Sequence, residues 1–197
     1  MPTTLTERPA QPIPLSPPRK RWTRAECSSL EEAGLLDGQH LELIEGELIN
    51  KMGKNVPHMV RLRWLMNWLQ EVFGKEFVYP EPSIDVAPED NPSNEPEPDF
   101  IVVKRELTSS SSKPRPEDLH LVVEIADTTL RFDLTTKAAL YARAGIVEYW
   151  VWDINGRRLI VHRNPQHGVY SSVVEYSEGE SVAPLAAPHT EFHIRDT

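Results

Sequence analysis

The sequence predicts an α/β fold in which a central mixed β-sheet is flanked by helices. Two nearly unbroken apolar runs, at 99–103 and 119–125, are typical of short strands that are buried on both faces. A long helical pattern over 57–73 precedes these runs, and a second helix is predicted over 134–144, ahead of a third strong strand. This succession of elements indicates one sheet with helices packed against it.

The first elements are predicted to be a short helix, a hairpin and the long helix. Thr23 and Glu26 fit a capping box, in which the threonine accepts from a backbone N–H and the glutamate reaches back, so we expect a helix that stops near Gly34. Residues 41–50 are predicted to form a strand pair bent at a Glu-Gly dipeptide. The 57–73 segment carries a broad apolar stripe at helical spacing, with proline in its first turn and glycine at its exit.

Six strands and one helix complete the prediction. The strands are separated by loops rich in proline, serine or acidic residues, and they span 77–86, 99–103, 119–125, 147–152, 159–162 and 169–176. Asp133 is predicted to be the N-cap of the 134–144 helix, which Gly145 closes. An Asn-Gly dipeptide predicts a tight hairpin between the fourth and fifth strands of this series.

Composition favours one domain, because 197 residues can bury a core without disulfides or metal staples. The single cysteine, Cys27, excludes an internal disulfide and a cysteine zinc cluster, and a reducing cytoplasm is the expected compartment. Residues 1–20 contain six prolines and few large apolar side chains, which predicts a disordered tail ahead of a single domain over 21–197. We expect neither a membrane span nor a signal peptide, since no suitable apolar run is present.

Three polar residues set into apolar elements are the main functional signal. Asp99 opens one predicted strand, Glu124 lies inside the next, and Lys137 lies on the helix that follows. A carboxylate flanked by valine, isoleucine and alanine is costly to bury unless it is paired or ligates a cation. Hard divalent cations prefer carboxylate oxygens, and a metal-bound water near a lysine suits phosphodiester hydrolysis. Taken singly, the aspartate is also typical of a strand-end cap and the lysine of a solvated helix face.

The segments that carry these residues resemble a large bacterial family of restriction endonucleases within the PD-(D/E)XK nuclease superfamily. The resemblance covers roughly 22–163 and rests on the Pro-Asp-Phe tripeptide around Asp99, the 121–125 strand, the stretch from Asp133 to Trp150 and the 41–48 hairpin. It implies a restriction-endonuclease-like core, with an added N-terminal hairpin and C-terminal strands, and cleavage of DNA that depends on Mg²⁺ or Mn²⁺. It also implies that Asp99, Glu124 and the backbone carbonyl of Ile125 ligate the metal.

One position departs from the superfamily pattern. The signature places a lysine two residues after the glutamate, where this chain has Ala126, whereas the resembled family moves the lysine to the following helix, where this chain has Lys137. One helical turn separates Lys137 from Asp133, so both can face the same side. Two further candidates stay open: Glu42 is either an additional acid or an exposed strand residue, and His58, at a position where the family often has histidine, is either a phosphate contact or a packing or capping residue.

The combined prediction is a metal-dependent endonuclease that hydrolyses DNA phosphodiester bonds. Such enzymes usually work as homodimers, and the tryptophan-bearing hairpin over 147–162 is the predicted contact surface. The net charge of −9 counts against nonspecific binding of nucleic acid and, together with the absent Glu-x-Lys pattern, favours an alternative, a non-catalytic nuclease-fold module that binds a protein partner or DNA. Eight basic residues are the candidates for a local positive rim: Arg61, Arg63, Lys104, Arg105, Lys113, Arg115, Arg131 and Arg143.

Overall fold

The structure is a computed structural model that describes residues 19–51 and 56–195, so nearly all of the predicted 1–20 tail lies outside the described residues. The helices are α1 (Arg24–Glu32), α2 (Val56–Phe73), α3 (Leu130–Phe132) and α4 (Ala138–Arg143), and a π-helical turn over Asp133–Lys137 joins the last two. The strands are β1 (Leu41–Ile44), β2 (Glu47–Asn50), β3 (Val78–Pro80), β4 (Phe100–Val103), β5 (Leu119–Ala126), β6 (Glu148–Asp153), β7 (Arg158–Gln166), β8 (Val169–Ser177), β9 (Ser181–Val182) and β10 (Phe192–His193). None of the helices in the described ranges combines the length and the apolar character that a membrane span requires.

A six-stranded mixed sheet lies at the centre, in the order β3-β4-β5-β6-β7-β8. Neighbouring strands are antiparallel except for β5 and β6, which run parallel. A parallel pair needs a crossover connection, and the helical segment from α3 to α4 supplies it. The β1–β2 hairpin and the β9–β10 pair form two small additional sheets. This architecture confirms the predicted fold class, including the added N-terminal hairpin and C-terminal strands.

Side chains of β5 alternate between two apolar cores, one on each face of the sheet. Val122 and Ala126 pack into the core that contains α4, whereas Val123 and Ile125 pack into the core that contains α2. Because side chains alternate along a strand, Glu124 points to the same face as Val122 and Ala126. The sheet therefore directs the carboxylate of Glu124 toward the helical segment that crosses over between β5 and β6.

Local sequence signals locate most of the elements correctly. The capping box is present, with the Thr23 hydroxyl accepting from the backbone N–H of Glu26 and the Glu26 carboxylate accepting from the backbone N–H of Thr23. The predicted strand over 77–86 is wrong in extent, because only β3 pairs with β4. Pro80 and Pro82 lack the N–H that would continue the ladder, so the strand ends at the first of them.

Two other predictions about local roles are wrong. Asp133 is not a helix N-cap, because the helical segment already begins at Leu130 and Asp133 is the first residue of the π-turn. The 147–162 hairpin is not an exposed contact surface, because β6 and β7 lie inside the sheet and the side chains of Trp150 and Trp152 are at most 1% exposed. The two tryptophans of this hairpin are therefore not available for a contact between copies of this chain.

Candidate active site

A cavity of about 520 Å³ opens between the β1–β2 hairpin, the start of α2, the region where β4 begins and β5 ends, and the π-turn. All five side chains predicted from the sequence as catalytic line this cavity, and so does Ile125: Glu42, His58, Asp99, Glu124 and Lys137. Their convergence is a structural observation, whereas their chemical roles stay predictions. Further acidic and basic residues line the same space: Glu81, Asp127, Asp133, His40 and Lys51.

Asp99 is positioned by the end of the β4–β5 ladder. The last paired residues are Phe100 and Val123, so the backbone N–H of Ile125 lies beyond the ladder. The Oδ2 atom of Asp99 accepts a hydrogen bond from this N–H at 2.8 Å and continues the pairing with a side chain. The N–H and C=O of one strand residue point to the same edge, so the carbonyl of Ile125 also faces the side on which Asp99 lies.

Glu124 is a buried acid of the cavity, with 5% of its surface exposed. Its Oε1 atom accepts hydrogen bonds from the Lys137 ammonium at 2.8 Å and from the Tyr141 hydroxyl at 3.1 Å. Burial raises the pKa of Glu124; Lys137 opposes this effect, while Asp133, Asp99 and Glu42 add to it. One ammonium does not neutralise so many acids, so the site holds an excess of negative charge.

Lys137 bridges two elements that are distant in the chain. Its ammonium lies 2.8 Å from Glu124 of β5 and 2.9 Å from Glu42 of β1, and its side chain is almost fully buried. Burial alone disfavours the charged form, but the neighbouring carboxylates outweigh this cost and raise the pKa of Lys137. The lysine is therefore a fixed positive charge at neutral pH and not a proton acceptor.

Glu42 lines the cavity, so of the two alternatives left open by the sequence the exposed strand residue is excluded. The β1 strand buries this residue to 5% exposure, so it is not an exposed strand residue. Its Oε1 atom pairs with Lys137, and its Oε2 atom accepts from the backbone N–H of Glu97 at 3.2 Å. The N-terminal hairpin thus supplies a third carboxylate to the cavity, in addition to Asp99 and Glu124.

His58 lies in the first turns of α2, and its ring faces Asp99. The Nε2 atom of His58 is 3.7 Å from the Oδ1 atom of Asp99, and the side chain is only 12% exposed. This distance exceeds that of a direct hydrogen bond. The contact places an imidazole beside the oxygen of Asp99 that does not bond to the Ile125 amide.

The π-turn explains how a helix delivers Lys137 to a strand-borne acid. Such wide turns are rare and are frequently found at functional sites. The carbonyl of Asp133 accepts both the Ala138 N–H, five residues on, and the Tyr149 hydroxyl of β6 at 3.1 Å. The turn is therefore bound to β6 at Asp133, its first residue, and Lys137 is its last residue.

Asp133 is a cavity acid that the sequence prediction did not place in the site. Its Oδ2 atom accepts a hydrogen bond from the Thr129 hydroxyl at 2.6 Å, and its side chain is buried. Burial raises the pKa of Asp133 to about 6, although Lys137 and the hydrogen bond from Thr129 act in the opposite direction. The four-residue spacing to Lys137 was the available signal, since it places both side chains on one side of the segment.

The raised pKa of Asp133 predicts a dependence of stability on pH. The carboxyl group of Asp133 has its ordinary pKa of 3.8 in the unfolded chain and binds its proton more tightly in the folded protein. The free energy of unfolding therefore falls as pH rises from about 4 to about 6. We expect Asp133→Asn to remove this loss, which amounts to roughly 2–3 kcal/mol. Urea unfolding of both proteins in EDTA, at pH 4.5 and pH 7, measures the difference, and identical pH slopes would contradict the prediction.

The predicted positive rim does not form around this cavity. Among the described residues, none of the eight basic residues proposed for it lines the cavity. Several of them instead pair with acids elsewhere, as Arg105 does with Asp118 and Arg143 does with Asp90. Besides Lys137, the cavity is lined by Lys51, whose ammonium donates to the carbonyl of Glu97 at 2.8 Å and lies 3.6 Å from Glu81.

Divalent cations are the cofactors whose chemistry fits this set of donors. Six carboxylates and two lysines line the cavity, so the acids outnumber the basic side chains. No group of three or more His, Cys, Asp or Glu side chains within the described ranges is arranged to enclose a metal ion. Mg²⁺ does not need such a cage, because it is usually held by one or two carboxylates together with waters and substrate phosphates. Asp99, Glu124 and the Ile125 carbonyl offer oxygen ligands of that kind.

Comparisons with known proteins agree with the fold and identify a family. A family model for Uma2, described as "Putative restriction endonuclease", matches residues 26–195. A solved structure of a putative nuclease from Anabaena variabilis superposes with a TM-score of 0.63 at 17% sequence identity, covering 84% of this chain and 94% of the other, which establishes a shared fold. No curated protein matches the chain. Because the family model spans most of the sequence, this chain belongs to the Uma2 family of putative restriction endonucleases.

Proposed function

We propose that this protein is a metal-dependent endonuclease that hydrolyses phosphodiester bonds of DNA. The observation that carries the proposal is the convergence of Asp99, Glu124 and Lys137 on one acid-rich cavity, in a chain of the Uma2 family. Two carboxylates beside a buried ammonium form an arrangement that binds a hard cation and a phosphate together. Membership of a family of putative restriction endonucleases supports nuclease activity.

Asp99 and Glu124 would hold the metal ion, with the carbonyl of Ile125 as a further ligand. When bound there, Mg²⁺ or Mn²⁺ supplies an activated water and neutralises charge on the phosphate. The hydrogen bond from the Ile125 amide fixes Oδ2 of Asp99, and Lys137 with Tyr141 fixes Oε1 of Glu124. Each acid thus has one oxygen that is oriented by the protein, and its second oxygen is the one assigned to the metal.

Lys137 stabilises negative charge and does not accept a proton in this proposal. Glu42 and Glu124 hold its ammonium in place and raise its pKa, so it stays positively charged throughout the neutral range. A fixed positive charge in a buried site stabilises the anionic oxygens of a phosphate under attack, since nothing has to reorganise during the reaction. His58, beside Asp99, is the group in position to contact the substrate phosphate or a water.

Cleavage of supercoiled plasmid tests the proposed function directly. The purified protein is incubated with plasmid in Mg²⁺, in Mn²⁺ and in EDTA, and nicked and linear products are separated on agarose. We expect cleavage with either metal and none with EDTA. Absence of cleavage across supercoiled, linear and single-stranded DNA, with both metals, would overturn the proposal.

Metal binding can be measured without DNA and gives a separate prediction. Isothermal titration calorimetry with Mn²⁺ should show binding to the wild type, and Asp99→Asn should weaken it by at least about tenfold, as expected for loss of a charged ligand. Asp85→Asn is a matched control, because Asp85 lies outside the cavity and pairs with Arg24 at 2.6 Å. Equal binding by wild type and Asp99→Asn, or no binding by either, would favour the non-catalytic module instead.

A further inference from the structure

The carboxylates proposed to bind the metal lie inside a small cavity and below the surface of the protein. Glu42, Asp99 and Glu124 are each at most 6% exposed. The cavity has a volume of about 520 Å³, which equals that of a sphere about 10 Å across and lies in the range of small-molecule sites. A B-form duplex is much wider, since its major groove alone measures about 12 Å. A phosphate that stays in a stacked duplex is therefore kept away from these oxygens.

The cavity has an apolar wall beside its carboxylates. Ile49 of β2 lies directly opposite Glu42 of β1, and directly opposed residues of an antiparallel pair project to the same face. Phe132, the residue before Asp133, also lines the cavity, and both apolar side chains are only partly buried. An aromatic ring offers a stacking surface to a base, but only to a base that has left its own stack. The wall and the carboxylates together suit one nucleotide, with its base on the apolar side and its phosphate on the acidic side.

The charge of the cavity disfavours binding along the backbone of a duplex. Such binding needs several lysine or arginine side chains, because each of them neutralises a phosphate. Among the described residues, two lysines line the cavity and no arginine does. Lys137 already contacts Glu42 and Glu124. Lys51 lies 3.6 Å from Glu81. Affinity for DNA is therefore expected to come from the metal and from contacts to a single nucleotide.

We propose that this site acts on DNA whose strand is locally unpaired, and that it accepts one unstacked nucleotide. This inference rests on the proposed function, because it assigns the form of DNA on which the same carboxylates act. Phe132 and Ile49 contact the base, and the adjoining phosphodiester lies at Asp99 and Glu124. The free energy of unstacking is smallest where the strand is already single, so fully paired DNA is a poor substrate.

Two forms of one plasmid test the preference at constant sequence. Negatively supercoiled DNA opens locally into unpaired segments far more readily than the relaxed closed circle does. With Mn²⁺, we expect the relaxed circle and a linear duplex to be cleaved at least about tenfold more slowly than the supercoiled circle and a single-stranded circle. Equal rates on relaxed and supercoiled plasmid would overturn the inference and leave the proposed endonuclease standing.

Binding tests the inference even where no DNA is cut. Fluorescence anisotropy compares a short labelled single strand with the same strand annealed to its complement, in Ca²⁺, which prefers oxygen ligands as Mg²⁺ does. We expect the single strand to bind at least about tenfold more tightly. Equal binding of the two forms, including no detectable binding of either, or tighter binding of the duplex would overturn the inference whatever the result of cleavage.

Phe132→Leu tests the apolar wall itself. Leucine keeps an apolar side chain against the core that contains α4 but has no ring face, so binding of the single strand should weaken by at least about fivefold. Binding of Mn²⁺, measured by calorimetry, should not change. Phe73→Leu is the matched control, because the Phe73 ring lies outside the cavity, where it stacks on His120, and it should bind as the wild type does. Unchanged single-strand binding by Phe132→Leu, or a parallel loss of Mn²⁺ binding, would overturn the role of this wall.

Discussion

Glu124→Gln is expected to lower the rate of metal-dependent plasmid nicking by on the order of 100- to 1000-fold. Glutamine keeps the volume of the side chain and one oxygen that accepts from Lys137 and Tyr141, so the hydrogen bonds of the site are conserved. The substitution removes the negative charge that a divalent cation requires. Initial rates of conversion of supercoiled to nicked plasmid, at saturating Mn²⁺, measure the effect.

A control variant separates this result from a general effect of losing an acid. Glu31→Gln removes the same charge from the exposed face of α1, outside the cavity, and should cleave at the wild-type rate. Wild-type cleavage by purified Glu124→Gln would mean that the activity resides elsewhere in the chain or in a contaminant. Loss of cleavage in both variants would show that the effect does not come from the cavity.

Lys137→Met is expected to affect both stability and cleavage. Methionine fills most of the same space but leaves Glu42 and Glu124 buried without the ammonium between them. Removing one member of a buried ion pair typically costs about 3–5 kcal/mol, which corresponds to a fall in Tm of roughly 10 °C for a chain of this size. Thermal unfolding in EDTA measures this loss, and cleavage should fall together with it.

A double variant distinguishes an uncompensated charge from a simple packing defect. In Lys137→Met combined with Glu124→Gln, one of the two stranded carboxylates is gone, so part of the lost Tm should return while cleavage stays absent. If the two substitutions lower Tm additively, the ion pair is not the cause of the loss. An unchanged Tm in Lys137→Met alone would contradict the interpretation of Lys137 as the counter-charge of the cavity.

The sequence predicted the cavity residues whose signal lies within a single strand or helix. Asp99 and Glu124 were found because a carboxylate inside or beside an apolar strand conflicts with its surroundings. Glu42 was not decided, because its burial follows from packing of the β1–β2 hairpin against the distant Lys137. Asp133 was assigned to the wrong position because a π-turn has no local sequence signature comparable to a capping box.

The absence of a lysine two residues after Glu124 has a physical explanation in the fold. Ala126 lies on the same face of β5 as Glu124, and its side chain is completely buried in the core that contains α4. A lysine there would have to place its ammonium among apolar side chains. The π-turn instead places the ammonium of Lys137 beside Glu124 from outside the sheet, so β5 itself needs no lysine.

Lys137 lies on the helical segment that connects β5 and β6, so the position of this segment determines whether Glu42 and Glu124 have a counter-charge. Without this segment packed against the sheet, the carboxylates of Glu42 and Glu124 would lie near each other without the ammonium of Lys137 between them. Docking supplies the cation and, through the Tyr149 hydroxyl on the Asp133 carbonyl, also fastens the turn to β6. Docking of the crossover segment and neutralisation of Glu42 and Glu124 are therefore coupled, because the same segment carries Lys137.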